Sequence, residues 1–329
     1  MTDNNNLTLF QLTPKSVLVS GESCFFSELD PKTLKLTTKH DTNKSLSLNF
    51  ACPHPLHDSK TSTSYTIGST IPTGLKFHFV SMDTQNGPVQ GALQSSKIVA
   101  SISPQSSTLL SVHHSFAMTE SYLLFVEQPF VLNVGKLLRG VFQKDNNQKG
   151  LSGYLEWHSE LRNRFHVIHK EDPGRKLEFD IESEIPFMFM HIVNSYEEVR
   201  EGLTVIVLDL ILFENADFFD ANFIERILDE NKCSISPTEY GQVARFVIPV
   251  QMDGFKEIGI GSDIIPGFAV KSGKNKVLLS QKFFSPKGVE LPSVSPKVRG
   301  KPYRYASIFR IFINCAQTQI LTKNLPIFR

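Results

Sequence analysis

Three histidines stand in three separate contexts, each beside strand-like sequence: Ala51-Cys52-Pro53-His54-Pro55, His113-His114-Ser115-Phe116, and His191-Ile192-Val193-Asn194-Ser195-Tyr196-Glu197. Neutral imidazole is a ligand for first-row transition metals such as iron, copper, zinc or nickel. A metal site assembled from distant strand ends would take this form, with one imidazole per strand and no short ligand motif. Of the ten histidines none follows His191, so the rest of the chain offers no imidazole. His166 and His169 have the spacing of a ligand pair on a helix. Phe165-His166-Val167-Ile168 reads as strand, however, so no local zinc pair is expected there. His113 is expected to face away from His114, because neighbours on a strand point to opposite faces. His40, His57, His78 and His158 read as surface or structural, and Glu127 as the end of a strand.

The elements that must position these side chains are mostly short strands. Cys24-Phe25-Phe26-Ser27-Glu28-Leu29 meets Asp30-Pro31-Lys32 and returns as Thr33-Leu34-Lys35-Leu36, a strand, a turn and a strand. Ser62–Gly68, Tyr122–Val126 and Arg245–Ile248 are rich in β-branched and aromatic residues. The apolar run Leu203 to Phe213 is interrupted by Asp209 and too short to span a bilayer, so it reads as a buried strand. Only Asn222 to Lys232 has a helical pattern, with Phe223, Ile224, Ile227 and Leu228 on one face and Asp220 as a cap. Many short strands with regular turns predict an all-β sandwich, barrel or propeller. No strand–glycine-loop–helix unit appears, which argues against nucleotide binding through a Rossmann fold or P-loop.

Composition sets the class. The chain has 329 residues, 40% hydrophobic and 20% charged, as in a globular protein. A formal net charge of +1 gives no electrostatic reason to expect nucleic acid. Twenty-six phenylalanines supply much apolar ring surface, for a core or for walls around a hydrocarbon ligand. Cys24, Cys52, Cys233 and Cys315 are scattered and read as reduced thiols. The polar N-terminus lacks the basic and apolar regions of a signal peptide. The reduced thiols predict a cytoplasmic setting. A monomer is expected, although no residue pattern fixes the oligomeric state.

The ordered segments resemble the carotenoid cleavage oxygenases, the family that includes the retinoid isomerohydrolase of the visual cycle. The resemblance rests on Ala51–Pro55 with Thr66-Ile67-Gly68, on His114–Tyr122 running into Phe125-Val126-Glu127-Gln128-Pro129, on His191–Glu198, and on Gly300–Ala306. It spans roughly residues 7 to 306. It implies a seven-bladed β-propeller of the carotenoid oxygenase type, here incomplete, with a few short helices and lid loops. It also implies one axial iron(II), Fe(2+), held by histidines. His54, His114 and His191 match the first three ligands. Glu22, in Ser20-Gly21-Glu22-Ser23, and Glu290, in Glu290-Leu291-Pro292, match carboxylates that accept the other ring N–H and aim the ligating nitrogen. In the segment Phe130–Phe142 the resemblance implies a substrate entrance and membrane-facing patch at Leu137, Leu138, Val141 and Phe142, flanked by Lys136 and Arg139. The plain reading of that segment is a buried strand and turn.

The chain also departs from the family pattern. The fourth histidine and a last carboxylate fall near the family's C-terminus, and neither has a counterpart here. Residues 1–306 are therefore expected to form an incomplete propeller, and 307–329 a divergent tail, in a product shortened at both ends. The resemblance implies addition of O2 across a carotenoid double bond to give apocarotenal or retinal products. Two rivals stay open: isomerohydrolysis of a retinyl ester, and an inactive lipid-binding form lacking the fourth ligand. Peripheral membrane contact and a mitochondrial location also stay open.

Overall fold

A computed structural model describes residues 8–12, 16–71, 74–85, 88–142, 150–200, 202–221, 236–252, 254–314 and 317–326. The helical pattern at 222–232 lies outside the described residues. The fold is mostly β, with a few short helices, as the strand-rich sequence predicts. The chain divides into two compact units, 1–116 with 131–156, and 117–130 with 157–329.

In the first unit the strands Thr8–Phe10, Val17–Ser20, Phe25–Leu29 and Leu36–Asp41 form a four-stranded antiparallel meander. The turn expected at Asp30 is present, and Asp30 Oδ1 accepts the Lys32 and Thr33 backbone N–H groups at 2.9 and 2.7 Å. A five-stranded sheet follows, centred on Thr63–Thr70 and Lys76–Asp83. Leu18, Phe26, Leu48, Ala51, Val80 and Met82 fill the core of this unit.

The second unit holds a seven-stranded sheet, a four-stranded sheet and a three-stranded sheet. Leu203–Phe213 is the buried strand its composition predicts, paired antiparallel on one side with Met188–Arg200 and on the other with Gln242–Pro249. Phenylalanine packs this core: Phe246 stacks on Phe187 at 5.1 Å and meets Phe165 at 5.3 Å. Tyr305–Asn314 pairs with Val289–Ser293 and with Gln317–Pro326.

Asp209, the one charge in the apolar run, is fully buried and forks onto Arg245, with Nε to Oδ1 at 2.7 Å and Nη2 to Oδ2 at 2.8 Å. Tyr303 donates its hydroxyl to the same carboxylate at 2.6 Å. Burial and the adjacent negative charge hold that phenol far above its usual ionisation range, so it remains a donor.

One segment differs from the plain reading of its sequence. Phe130–Asn133 is a strand, but Val134–Phe142 is a helix rather than a strand and turn. Asn133 Oδ1 accepts the Lys136 N–H at 2.9 Å, and such a side-chain acceptor opens a helix where apolar content alone suggests a strand. Leu138 on this helix is exposed. No described helix is long and apolar enough to cross a membrane.

Candidate metal centre

His54 follows the strand Phe50–Ala51, and Pro53 and Pro55 on either side restrict its backbone. His114 lies in an irregular segment just after the strand Leu109–Ser111. Cys52 links the two. It is fully buried, and burial raises its thiol well above the ordinary value, so the sulfur keeps its proton. That S–H donates to the His114 carbonyl at 3.0 Å, while the His54 N–H approaches the same sulfur at 3.4 Å.

The rings are oriented from behind. His114 Nδ1 donates to Glu22 Oε1 at 2.7 Å. A carboxylate accepts only, so the neutral ring carries its proton on Nδ1 and presents the lone pair of Nε2. His54 Nε2 stands 3.1 Å from that atom. Without a cation, a proton on His54 Nε2 accounts for this contact. Two nitrogens bound to one ion at about 2.1 Å and near a right angle also stand about 3 Å apart, so a cation could replace that proton. The Thr8 hydroxyl lies 3.3 Å from His54 Nδ1.

In the second unit His191 repeats the arrangement. Its Nδ1 donates to Glu290 Oε2 at 2.7 Å, so its Nε2 is likewise presented. Glu290 is buried, and the Leu291 N–H donates to the same oxygen from a residue with φ of 53°. Glu290 Oε1 has no hydrogen-bond partner among the described residues. His191 sits where the strand Met188–Arg200 bulges. Its register against Leu203–Phe213 shifts between Phe189 and Ile192 and again between Ile192 and Asn194. Such bulges re-aim a side chain that a regular pleat would point elsewhere.

His114 and His191, each within its own unit, present the Nε2 of a neutral imidazole, a donor that suits a divalent first-row ion. Replacing Glu290 with glutamine keeps the shape but removes the charge that makes the ring basic. Affinity for cobalt(II), read by chelator competition, is expected to fall about 10- to 100-fold. An unchanged affinity would show that Glu290 does not tune a ligand.

The remaining histidines lie elsewhere. His113 faces away as expected, edge-on to Phe77 at 5.6 Å, with Nδ1 3.2 Å from the Ser111 carbonyl. The segment is irregular, so strand alternation is not the cause. Burial lowers the His113 pKa and keeps the ring neutral. His166 and His169 occupy a strand, Arg164–His169, not a helix. His166 pairs with Glu127, which ends its own strand, at 2.9 Å. Thr8 has no sequence signal that ties it to His54, since 46 residues separate them.

The family model for Retinal pigment epithelial membrane protein matches residues 1–313. The chain belongs to this family. The resemblance carried by the histidine and Gly300–Ala306 segments is thus borne out. Among curated relatives, the chain is 26% identical over 333 residues to the Beta,beta-carotene 15,15'-dioxygenase of Gallus gallus, covering 98% of this chain and 60% of that protein. It is 24% identical over 359 residues to the mitochondrial Carotenoid-cleaving dioxygenase of Macaca fascicularis, covering 100% and 60%. The chain therefore spans about 60% of the length of these family members. Among solved structures, the Glu150Gln mutant of Synechocystis apocarotenoid oxygenase aligns with a TM-score of 0.60 at 17% identity, over 98% of this chain and 60% of that one. The lignostilbene dioxygenase of Pseudomonas brassicacearum aligns with a TM-score of 0.59 at 14% identity, over 93% and 53%. At such identities these alignments speak to fold.

Proposed function

We propose that this chain acts as an iron(II)-dependent carotenoid cleavage dioxygenase, adding O2 across a polyene double bond to give apocarotenal or retinal products. His54, His114 and His191 hold the metal. Glu22 and Glu290 orient His114 and His191 through their Nδ1–H groups. The observation that carries the reading is the repeated histidine–carboxylate pair, each at 2.7 Å, in a chain of this family. Ferrous iron, when bound, supplies the redox chemistry that activates dioxygen. The protein contributes neutral ligands, with the tautomers of His114 and His191 fixed by carboxylates, which leave the ion its full divalent charge.

In this reading residues 1–306 form an incomplete seven-bladed propeller and 307–329 diverge from the family pattern. The substrate is a carotenoid or retinoid, and the relatives' names support the carotenoid. The chain works as a monomer in the cytoplasm. Leu137, Leu138, Val141 and Phe142, with Lys136 and Arg139, contact the bilayer surface from which a polyene is drawn.

The test supplies β-carotene, ferrous iron and isotopically labelled dioxygen to the 329-residue chain. Labelled aldehyde products that vanish in His191→Ala are expected. Retinol formed from a retinyl ester, with label entering from water, would replace this reading with isomerohydrolysis. Polyene binding without turnover would replace it with a lipid-binding role.

A further inference from the structure

We infer that Asn194 is the positioning residue for His191, acting as a latch that fixes the bulged strand to the loop around Val298–Lys301. This inference rests on the reading of His191 as a metal ligand. The two bulges leave the strand with more residues than its partner between Phe189 and Asn194. Around His191 the ladder therefore cannot set the backbone by itself. Regular pairing resumes at Asn194, opposite Asp209. Between the bulges only Ile192 keeps a cross-strand partner, Leu210, so Asn194 is where continuous pairing begins after the ligand.

Its buried side chain is almost fully used. Nδ2 donates to the Val298 carbonyl at 3.0 Å and to the Lys301 carbonyl at 3.1 Å, and Oδ1 accepts the Gly300 N–H at 3.0 Å. Only a primary amide supplies two donors and an acceptor in this plane; aspartate would set a negative charge against two carbonyls. The loop it grips is shaped to receive it. Gly300 has φ of 75°, a left-handed conformation that favours glycine. Lys301 N–H closes the turn onto the Val298 carbonyl at 3.1 Å.

The same loop is tied a second time. Tyr303, two residues on, donates to Asp209, the cross-strand neighbour of Asn194. Asn194 and Asp209 thus hold one loop from two adjacent strands. Beyond the latch, Ser195 Oγ donates to the Met118 carbonyl at 3.0 Å, and Glu197 accepts the Ser121 N–H at 2.6 Å. These contacts secure the strand further from the ligand. Before the bulge, Gln128 donates to the Phe189 carbonyl and accepts the Phe189 N–H, each at 3.0 Å, so Asn194 is the matching side-chain anchor on the far side.

The test is cobalt(II) binding by the full chain, read as a visible absorption spectrum and as a chelator-competition affinity. For Asn194→Ala an affinity loss of about tenfold is expected, the lower part of the range for residues that orient ligands, with an altered cobalt spectrum. Ser195→Ala, which deletes a bond of similar length one residue further on, should leave affinity and spectrum within twofold of the parent. Should Asn194→Ala fold poorly, Tyr303→Phe loosens the same loop without opening a cavity. It should weaken cobalt binding by two- to fivefold. A parent that binds cobalt through His114, with Asn194→Ala and Tyr303→Phe binding it equally well and with the same spectrum, overturns the latch alone. A parent without His114-dependent cobalt binding overturns the metal-site reading, and the latch with it.

Discussion

Replacing His114 with alanine is expected to abolish stoichiometric binding of a divalent first-row metal by this chain. Changing a residue that only orients a ligand typically costs 10- to 100-fold, so losing a ligand should exceed about 100-fold in cobalt(II) or iron(II) affinity. Several partners depend on this side chain. Glu22 loses the N–H that it accepts at 2.7 Å, and His54 loses the ring nitrogen 3.1 Å from its own. The backbone carbonyl of His114 keeps its bond from the Cys52 thiol, so the local chain path should survive. Metal loss with the fold intact, by circular dichroism and equilibrium dialysis, is the expected pair of results. Retention of one ion per chain at parental affinity would remove His114 from the site.

The second large effect is on stability. Removing the carboxylate in Asp209→Ala leaves the buried Arg245 guanidinium without its bidentate partner and takes away the acceptor of the Tyr303 hydroxyl. Breaking a buried ion pair from one side costs about 3–5 kcal/mol, because a desolvated charge is left uncompensated. Urea unfolding should show that loss. The paired replacement Asp209→Ala with Arg245→Met should restore part of it, since the stranded charge is then gone. If the double variant were as unstable as the sum of both single ones, the pair would not be acting as one buried unit.

Much of this was legible in the residues, and the gaps have physical causes. Strands at Leu203–Phe213 and Thr63–Thr70 announce themselves by composition, because buried sheet needs β-branched and aromatic surface. The helix at Val134–Phe142 was not legible as one. Its apolar content suits a strand equally, and the deciding feature is one bond from Asn133 to the Lys136 N–H. His54, His114 and His191 were visible only through ordered motifs, since single histidines carry no spacing signal. Glu22 and Glu290 were visible through the resemblance as carboxylates that accept a ring N–H; which ring each one meets, His114 and His191 at 2.7 Å, was not. The double bulge at His191 was hidden, because Met190-His191-Ile192-Val193 reads as an ordinary strand. Thr8 and the sulfur bridge through Cys52 were hidden too. Both depend on loop paths that sequence alone does not encode in a local pattern.

The most direct measurement is X-ray absorption at the metal edge of the iron(II)- or cobalt(II)-loaded chain, counting coordinated imidazole rings. Three rings at about 2.1 Å are predicted for the parent, falling to two in His54→Ala and in His191→Ala. One ring or none, or a ring count that stays the same in both variants, would contradict a shared ion.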